Sequence, residues 1–182
     1  MCLVGLEVAD DEELKKIKKG ITVEQVKETV AKLREAGIAT VLTWMIGFED
    51  DNEEIIKSRF AAVDEIDPDI IALQFLTPIP GSPIWDDVTA RGLLKMEDLN
   101  KKIKQWDFHQ PIMPTKFLST SALADLASWA FREFFSKPGR IQRAMHNRKY
   151  DPLVSVCVRD FMENANNYEK ETHGEKSYVG KE

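Results

Sequence analysis

Residues 70–85 read Ile-Ile-Ala-Leu-Gln-Phe-Leu-Thr-Pro-Ile-Pro-Gly-Ser-Pro-Ile-Trp. The apolar run 70–76 has the length and side chains of a strand, and Pro68 before it and Pro78 after it bar a helix from running through. Only Gln74 interrupts it, where a strand with one wet face would alternate. Such a strand belongs to a parallel sheet, expected here to be covered on both faces. Three prolines and a glycine directly behind it make a stiff turn almost bare of ordinary polar residues.

The same logic extends toward the amino terminus. Residues 3–8 form a short apolar strand with Glu7 near its end. Asp10, Asp11, Glu12 and Glu13 open a helix that closes with Lys15, Lys16, Lys18 and Lys19 before Gly20, acids first and bases last as the helix dipole favours. Thr22 and Gln25 offer a capping box to a second helix carrying Val23, Val26, Val30 and Leu33, with Gly37 as its stop. Residues 38–46 read as a strand ending in Gly47-Phe48. Asp51, three residues before Glu54, opens a third helix with Ile55, Ile56, Phe60, Val63 and Ile66 on one face, broken at Asp67-Pro68. The order strand, helix pair, strand, helix, strand predicts right-handed crossovers. The loops after the strands then lie at their carboxyl ends, where α/β folds put their sites.

Beyond residue 92 the pattern becomes helical. Residues 93–108 are lysine-rich, 106–111 form an aromatic connection, and a strong amphipathic helix starts at Ser119 or Ser121. It runs through Leu123, Leu126, Ala127, Ala130, Phe131, Phe134 and Phe135 to Lys137-Pro138-Gly139. A last helical patch spans 153–162, and the polar residues 164–182 are expected to be a disordered tail. The division is thus 1–92, 93–163 and 164–182.

The 182 residues carry 25 basic against 31 acidic side chains, a net charge of −6, with no basic stripe to track phosphates. No apolar stretch approaches the roughly 20 residues of a membrane span, and the first residues lack the flank of a signal peptide. A cytoplasmic protein without nucleic-acid or membrane partners is expected. Cys2 and Cys157 are too few for a disulfide framework and read as small buried side chains. His109, His146 and His173 are scattered, without the spacing of a helical zinc site. No metal ligands and no catalytic residue are assigned.

Taken singly, Glu7 is an acid at a strand end, Lys19 a helix-dipole partner and Gly47 a turn residue. Taken together, Gly5-Leu6-Glu7, Lys18-Lys19-Gly20-Ile21-Thr22, Ala36-Gly37-Ile38, Met45-Ile46-Gly47-Phe48, Asp67-Pro68-Asp69 and the segment 77–85 resemble the radical S-adenosylmethionine enzymes. The likeness is to the cobalamin-domain class, which includes the oxidative cyclases of magnesium-protoporphyrin monomethyl ester, and it covers residues 3–90 best.

The resemblance implies an α/β fold, the carboxyl-terminal part of a TIM-type barrel beginning at its fourth strand, followed by an α-helical extension. It implies that Glu7 accepts from the ribose hydroxyls of S-adenosylmethionine, a carboxylate being a two-oxygen acceptor suited to a cis-diol. Lys19 would meet the methionyl carboxylate. Thr43 stands where some relatives place an acid near the ribose. Met45, Gly47 and Phe48 would back the adenine, and Gln74 and Leu76 would face the cofactor from the next strand. The prolines of 78–83 would hold a rigid apolar lip, since they leave no unmade N–H when buried. The 4Fe-4S cluster of the family sits on a C-x-x-x-C-x-x-C loop that this chain lacks, and two cysteines cannot replace three thiolates. The missing amino-terminal half of the enzyme is therefore an expected partner, with the cluster and, in part of the class, cobalamin bound there. This portion is expected to be inert alone.

The implied reaction is oxidative cyclisation of a tetrapyrrole or related radical chemistry on an unactivated C–H substrate. Methyl transfer is the enzymatic alternative, and a non-catalytic module docking a partner through its Phe131 and Phe134 face is the other. Open strand edges at 3–8 and 70–76 favour pairing with another copy. The isolated chain is thus expected to self-associate, and light scattering at high concentration should give more than the monomer mass; a monomer there would count against exposed edges.

Overall fold

The computed structural model describes residues 1–94, 97, 106–137, 139–140 and 142–143. The helical patch 153–162, the tail, most of the lysine-rich stretch, Cys157, His146 and His173 lie outside the described residues. Three strands, β1 (Cys2–Glu7), β2 (Thr40–Ile46) and β3 (Ile70–Phe75), pair in parallel in the order β1-β2-β3. Gly5 lies opposite Thr43, Thr43 opposite Ala72, and Met45 opposite Gln74. Helices α1 (Asp11–Lys16) and α2 (Val23–Glu35) connect the first two strands, and α3 (Glu53–Ile66) connects the second and third. After β3 come α4 (Pro83–Ala90) and α5 (Thr120–Ser136).

Local chemistry sets several boundaries as the spacing predicts. The Thr22–Gln25 capping box is present on both sides, and Ser119 caps α5 by accepting from Ala122 N. Two boundaries differ. Helix α1 stops at Lys16 rather than continuing to Lys19, because Lys18 turns left-handed at φ +56° and swings Lys19 off the helix. Helix α3 is capped by Asn52, whose Oδ1 accepts from Ile55 N at 2.9 Å, and not by Asp51. Asp51 turns inward instead.

Helices cover one face of the sheet. Leu6, Leu42, Trp44, Ile46, Ile71, Leu73 and Phe75 pack there against Val26 and Val30 of α2, Ile56, Phe60 and Val63 of α3, and Leu123, Leu126, Ala130 and Phe134 of α5. The ring of Phe60 links Trp44, at 6.1 Å between centroids, to Trp129, at 4.9 Å. The other face carries Leu3, Gly5, Val41, Thr43, Met45, Ile70, Ala72 and Gln74, and no described helix packs on it; Ile70 at its start is buried, Leu3 is 67% exposed and the rest are half-buried. Among the described residues, coverage on both faces is thus corrected to coverage on one. The continuous apolarity of the strands fits both arrangements, which is why the pattern could not separate them. Three strands make an open sheet, and no closed barrel exists among the described residues.

Helix α5 joins this core rather than standing apart. Phe134 is fully buried within it, so it offers no face to a partner, and Phe131 packs against the same cluster. Of the described residues between β3 and α5, Trp85, Val88, Leu94, Ile112 and Met113 form a second small core with Leu76 and Trp106 at the carboxyl ends of the strands.

The opposite end of the sheet is tied by charge. Asp69 Oδ2 accepts from Thr40 N at 2.8 Å and Thr40 Oγ1 at 3.0 Å, joining the starts of β2 and β3. Arg140, 2% exposed, donates to Asp67 Oδ1 at 2.8 Å and Asp64 Oδ1 at 2.7 Å and lies 4.0 Å from the Phe134 ring. Burial works against ionising Asp64 and Asp67. Hydrogen bonds from Lys137 and Arg140 at Asp64, and from Arg140 and Arg143 at Asp67, outweigh it, so both carboxyls titrate below their usual range.

A carboxyl held low in the folded state adds stability above its unfolded pKa, about 3.9 for aspartate, and loses it as pH falls through the folded value. Arg140→Met should therefore lower the thermal midpoint at neutral pH, and the gap to the unmodified chain should close progressively below about pH 4. Parallel melting curves over pH 2–7 read this directly; a gap independent of pH would show that Arg140 acts by packing alone.

Candidate functional site

Parallel strands in sequential order put all three carboxyl ends along one edge. The predicted site residues follow that edge in two groups. The first surrounds Gly5. Lys19 Nζ donates to Glu7 Oε1 at 2.8 Å, and both side chains stay partly exposed, at 30% and 26%. A Cβ built on Gly5 would stand 3.0 Å from that same Glu7 oxygen, 3.1 Å from Lys19 Nζ and 3.7 Å from Thr43 Oγ1. Glycine at this position leaves the space in which the ion pair folds down onto the open face of the sheet. Thr43 Oγ1 is buried beside it without a hydrogen-bond partner, and an unmade buried hydroxyl costs about 1–3 kcal/mol.

Glu7 itself is strained. Its φ is +69°, and the register of β1 shifts between Gly5 and Glu7. A non-glycine residue in this region costs about 1–2 kcal/mol. Together the bulge, the left-handed Lys18 and the bare Gly5 bring a carboxylate and an ammonium to one spot.

The second group lies two residues further along the strands. Met45 and Gln74, paired in register, occupy the open face next to the first group. Gly47, Phe48 and Leu76 line a cleft of about 290 Å³ together with Ile84, Val88 and Met113. Leu76 N donates to Ile46 O at 2.8 Å and so carries the pairing past the end of β3. Gly47 and Gly5 are glycines for opposite reasons. At Gly47 a Cβ would meet nothing closer than 3.7 Å, but φ is +95°; at Gly5 the backbone is ordinary and the space is not.

The proline-rich turn is a helix start. Ser82 N and Oγ both donate to Ile79 O, at 3.0 and 2.7 Å, and Ser82 then caps α4 with Pro83 in its first turn. Pro78 O accepts from Trp106 Nε1 at 2.9 Å, which fixes the turn against the second core.

Several further residues have no role in the site assigned from the sequence. Glu49 accepts from Arg91 at 2.9 Å and from Lys116 at 3.2 Å at the exposed side of the cleft. Lys116 also meets Asp50 at 2.8 Å, and this hydrogen bond holds the Asp50 carboxyl below its usual range. Asp51 is 1% exposed and accepts from Gly47 N at 2.8 Å, Phe48 N at 3.1 Å and Arg59 Nη1 at 2.5 Å. Burial pushes its pKa up against the pull of Arg59 and the two amides. The run Asp50-Asp51-Asn52 held the signal, since three candidate caps in a row leave two carboxylates with other work. Among the described residues no three His, Cys, Asp or Glu side chains are grouped to hold a metal ion, and no described helix is long and apolar enough to cross a membrane.

Fold and site together define an α/β parallel sheet with a polar cluster and an apolar cleft at its carboxyl edge. No protein-family model matches the chain. It is 26% identical over 134 residues to a protein of Pyrococcus horikoshii described as an uncharacterized methyltransferase, covering 74% of this chain and 28% of that one. It is 28% identical over 134 residues to the anaerobic magnesium-protoporphyrin IX monomethyl ester cyclase of Cereibacter sphaeroides, covering 74% of this chain and 21% of the cyclase. The cyclase of the same name from Rubrivivax gelatinosus matches at 24% over 168 residues, 87% of this chain and 28% of its own. These relatives are enzymes by name, the likeness is distant, and the chain spans only 21–28% of their length.

Because the atoms that a Gly5 side chain would meet first are the ends of flexible side chains, Gly5→Ala should fold with a near-normal thermal midpoint while pushing Glu7 and Lys19 apart. A structure of the variant tests this; a Glu7–Lys19 contact still at 2.8 Å would show that the bare α-carbon is not needed.

Proposed function

We propose that this chain is the carboxyl-terminal part of a radical S-adenosylmethionine enzyme, lending three strands to a larger β/α barrel and holding the nucleoside and methionyl ends of the cofactor at their carboxyl edge. The observation that carries this reading is the Glu7–Lys19 pair folded over Gly5 beside the partnerless Thr43 hydroxyl, on the uncovered face of the sheet. Uncovered apolar strand faces suit the interior of a barrel that other strands complete.

The cluster suits the cofactor's groups. Glu7 gives one carboxylate oxygen to Lys19 and keeps the other for a ribose diol, and Lys19 has N–H donors beyond the one it spends on Glu7. Thr43 adds a hydroxyl with Met45 and Gln74 further along the same open face, and Gly47, Phe48 and Leu76 in the cleft offer an apolar wall for a purine. When bound, the cofactor supplies a radical that takes hydrogen from an unactivated C–H bond, or a methyl group. The chain's own residues bind, orient and keep water away; none of them is asked to move a proton. The two cysteines of the chain do not suit a 4Fe-4S cluster, which needs three thiolates. The cluster, and cobalamin where the class uses it, belong to the rest of the enzyme in this reading, as does most of the contact with substrate.

The names of the cyclase relatives favour a tetrapyrrole substrate and oxidative cyclisation. The Pyrococcus relative favours methyl transfer as the second reading. The full-length enzyme containing this segment, reconstituted anaerobically with iron, sulfide and a reductant, decides both points. Glu7→Gln should raise the KM for S-adenosylmethionine about tenfold or more, the weight of one charge-assisted hydrogen bond. An unchanged KM would remove Glu7 from the site. Release of S-adenosylhomocysteine during turnover would mark a methylase, and 5′-deoxyadenosine alone a cyclase.

A further inference from the structure

The loop after β2 is built around one buried carboxylate. Asp51 Oδ2 accepts from both Gly47 N and Phe48 N, while Oδ1 accepts from Arg59 Nη1 of α3. The Arg59 guanidinium also lies 5.8 Å from the Phe48 ring, so the ion pair grips the turn through its main chain and its aromatic side chain. The Asp51 backbone reaches the far wall of the cleft: Thr115 Oγ1 donates to Asp51 O at 2.8 Å and accepts from Phe117 N at 3.1 Å and Leu118 N at 2.9 Å. Lys116 N donates to Glu49 O at 3.0 Å beside it. Gly47 and Phe48 form one side of the cleft and residues 113–116 another.

We infer that Asp51 is a positioning residue that clasps the two walls of the carboxyl-edge cleft, setting the Gly47-Phe48 turn with its side chain and the 113–118 segment with its carbonyl. A capping role would have needed only one acceptor oxygen at the start of α3, and Asn52 already fills it. Burying a carboxylate with a guanidinium is a poor way to gain stability, since the desolvation of both offsets most of their attraction. The pair is better explained by what it holds: two adjacent amides of a glycine turn at φ +95° that would otherwise have no fixed acceptor. The clasp stands whatever enters the cleft; its effect on S-adenosylmethionine rests on the function proposed above.

Two arms of one experiment separate these. Asp51→Ala alone would leave Arg59 buried without a counter-charge, so the variant of choice is Asp51→Ala with Arg59→Met, which removes both charges. In the isolated chain, amide hydrogen exchange at Gly47 and Phe48 should quicken about tenfold or more relative to Val30 of α2, the consequence of losing a charge-assisted acceptor. Thr115→Val should quicken Phe117 and Leu118 while leaving Gly47 and Phe48 protected. Unchanged exchange at Gly47 and Phe48 in the double variant, or an equal rise at every amide, would overturn the clasp. In the full-length enzyme the double variant should raise the KM for S-adenosylmethionine about tenfold with kcat within about twofold, and Asp51→Asn combined with Arg59→Met, which keeps an acceptor oxygen without leaving a buried charge unpaired, should recover part of the loss. A lowered thermal midpoint with unchanged KM would reduce Asp51 to a structural residue. If the unmodified enzyme shows no dependence on S-adenosylmethionine, the proposed function fails while the exchange measurement still judges the clasp.

Discussion

Parallel pairing obliges the chain to return to the same end of the sheet before each strand, and that obligation arranges everything else in this molecule. The return between β1 and β2 uses α1 and α2, and the return between β2 and β3 uses α3. Both crossovers lie on one face because a right-twisted strand feeding a right-handed helix packs back only that way. The consequence is geometric. Glu7, Gly47 and Leu76, far apart in sequence, end their strands side by side, and the loops beyond them must share one rim.

The chain after β3 is different in kind. The helix that covers this strand, α5, begins at Thr120, 45 residues after Phe75. The described residues in between start α4 on Ser82 and build a small core around Trp85 and Trp106 at the rim. The Phe108 carbonyl accepts from Phe75 N at 2.8 Å and so occupies one position of the outer edge of β3. Magnitudes say which contacts hold this excursion down. Exposed pairs such as Arg91–Glu49 are worth about 0–1 kcal/mol each, whereas a buried tryptophan or phenylalanine is worth about 3–5 kcal/mol when truncated. The aromatic core carries the segment, and the ion pairs along the cleft tune its register.

The legible part of the sequence was the part governed by local chemistry. The capping box at Thr22 and Gln25, the stop at Asp67-Pro68, the strand read at 70–76 and ending at Phe75, and the face of α5 each depend on a few adjacent residues, and each stands in the structure. The relations that failed or went unseen are long-range. Nothing local distinguishes Asp51 as an inward ligand of two amides from Asp51 as a helix cap; Arg59 decides it, eight residues away. Nothing local tells that the second face of the sheet is open, because an apolar strand looks alike beneath helices and inside a larger assembly. Gly5 reads as a weak point in a strand until Lys19, fourteen residues on, is known to lie over it. The eight residues assigned to the site from resemblance fall along the rim and the open face, but their grouping, with Glu7, Lys19 and Thr43 about Gly5 and Gly47, Phe48 and Leu76 in the cleft, is set by contacts between strands that no short stretch encodes.

The two ends of the sheet are finished to different standards. At the amino end Asp69 ties β2 to β3, and Arg140 is bonded to Asp64, Asp67 and the Phe134 carbonyl. Even Arg143 Nε, which lacks a hydrogen bond, lies 3.7 Å from the Asp69 carboxylate. The left-handed Asp67 there is a helix cap, a position where that conformation is common. At the carboxyl end a left-handed glutamate ends β1, a buried threonine hydroxyl has no partner, and Ile79, Ile84 and Phe117 are exposed. Strain of this kind costs about 1–3 kcal/mol per residue and persists only where the surrounding structure enforces it. A chain that pairs its charges at one end and keeps a strained glutamate and a partnerless hydroxyl at the other has its anchoring and its candidate site on opposite ends of the same sheet, and the clasp at Asp51 is the point where ordered charge reaches the second end.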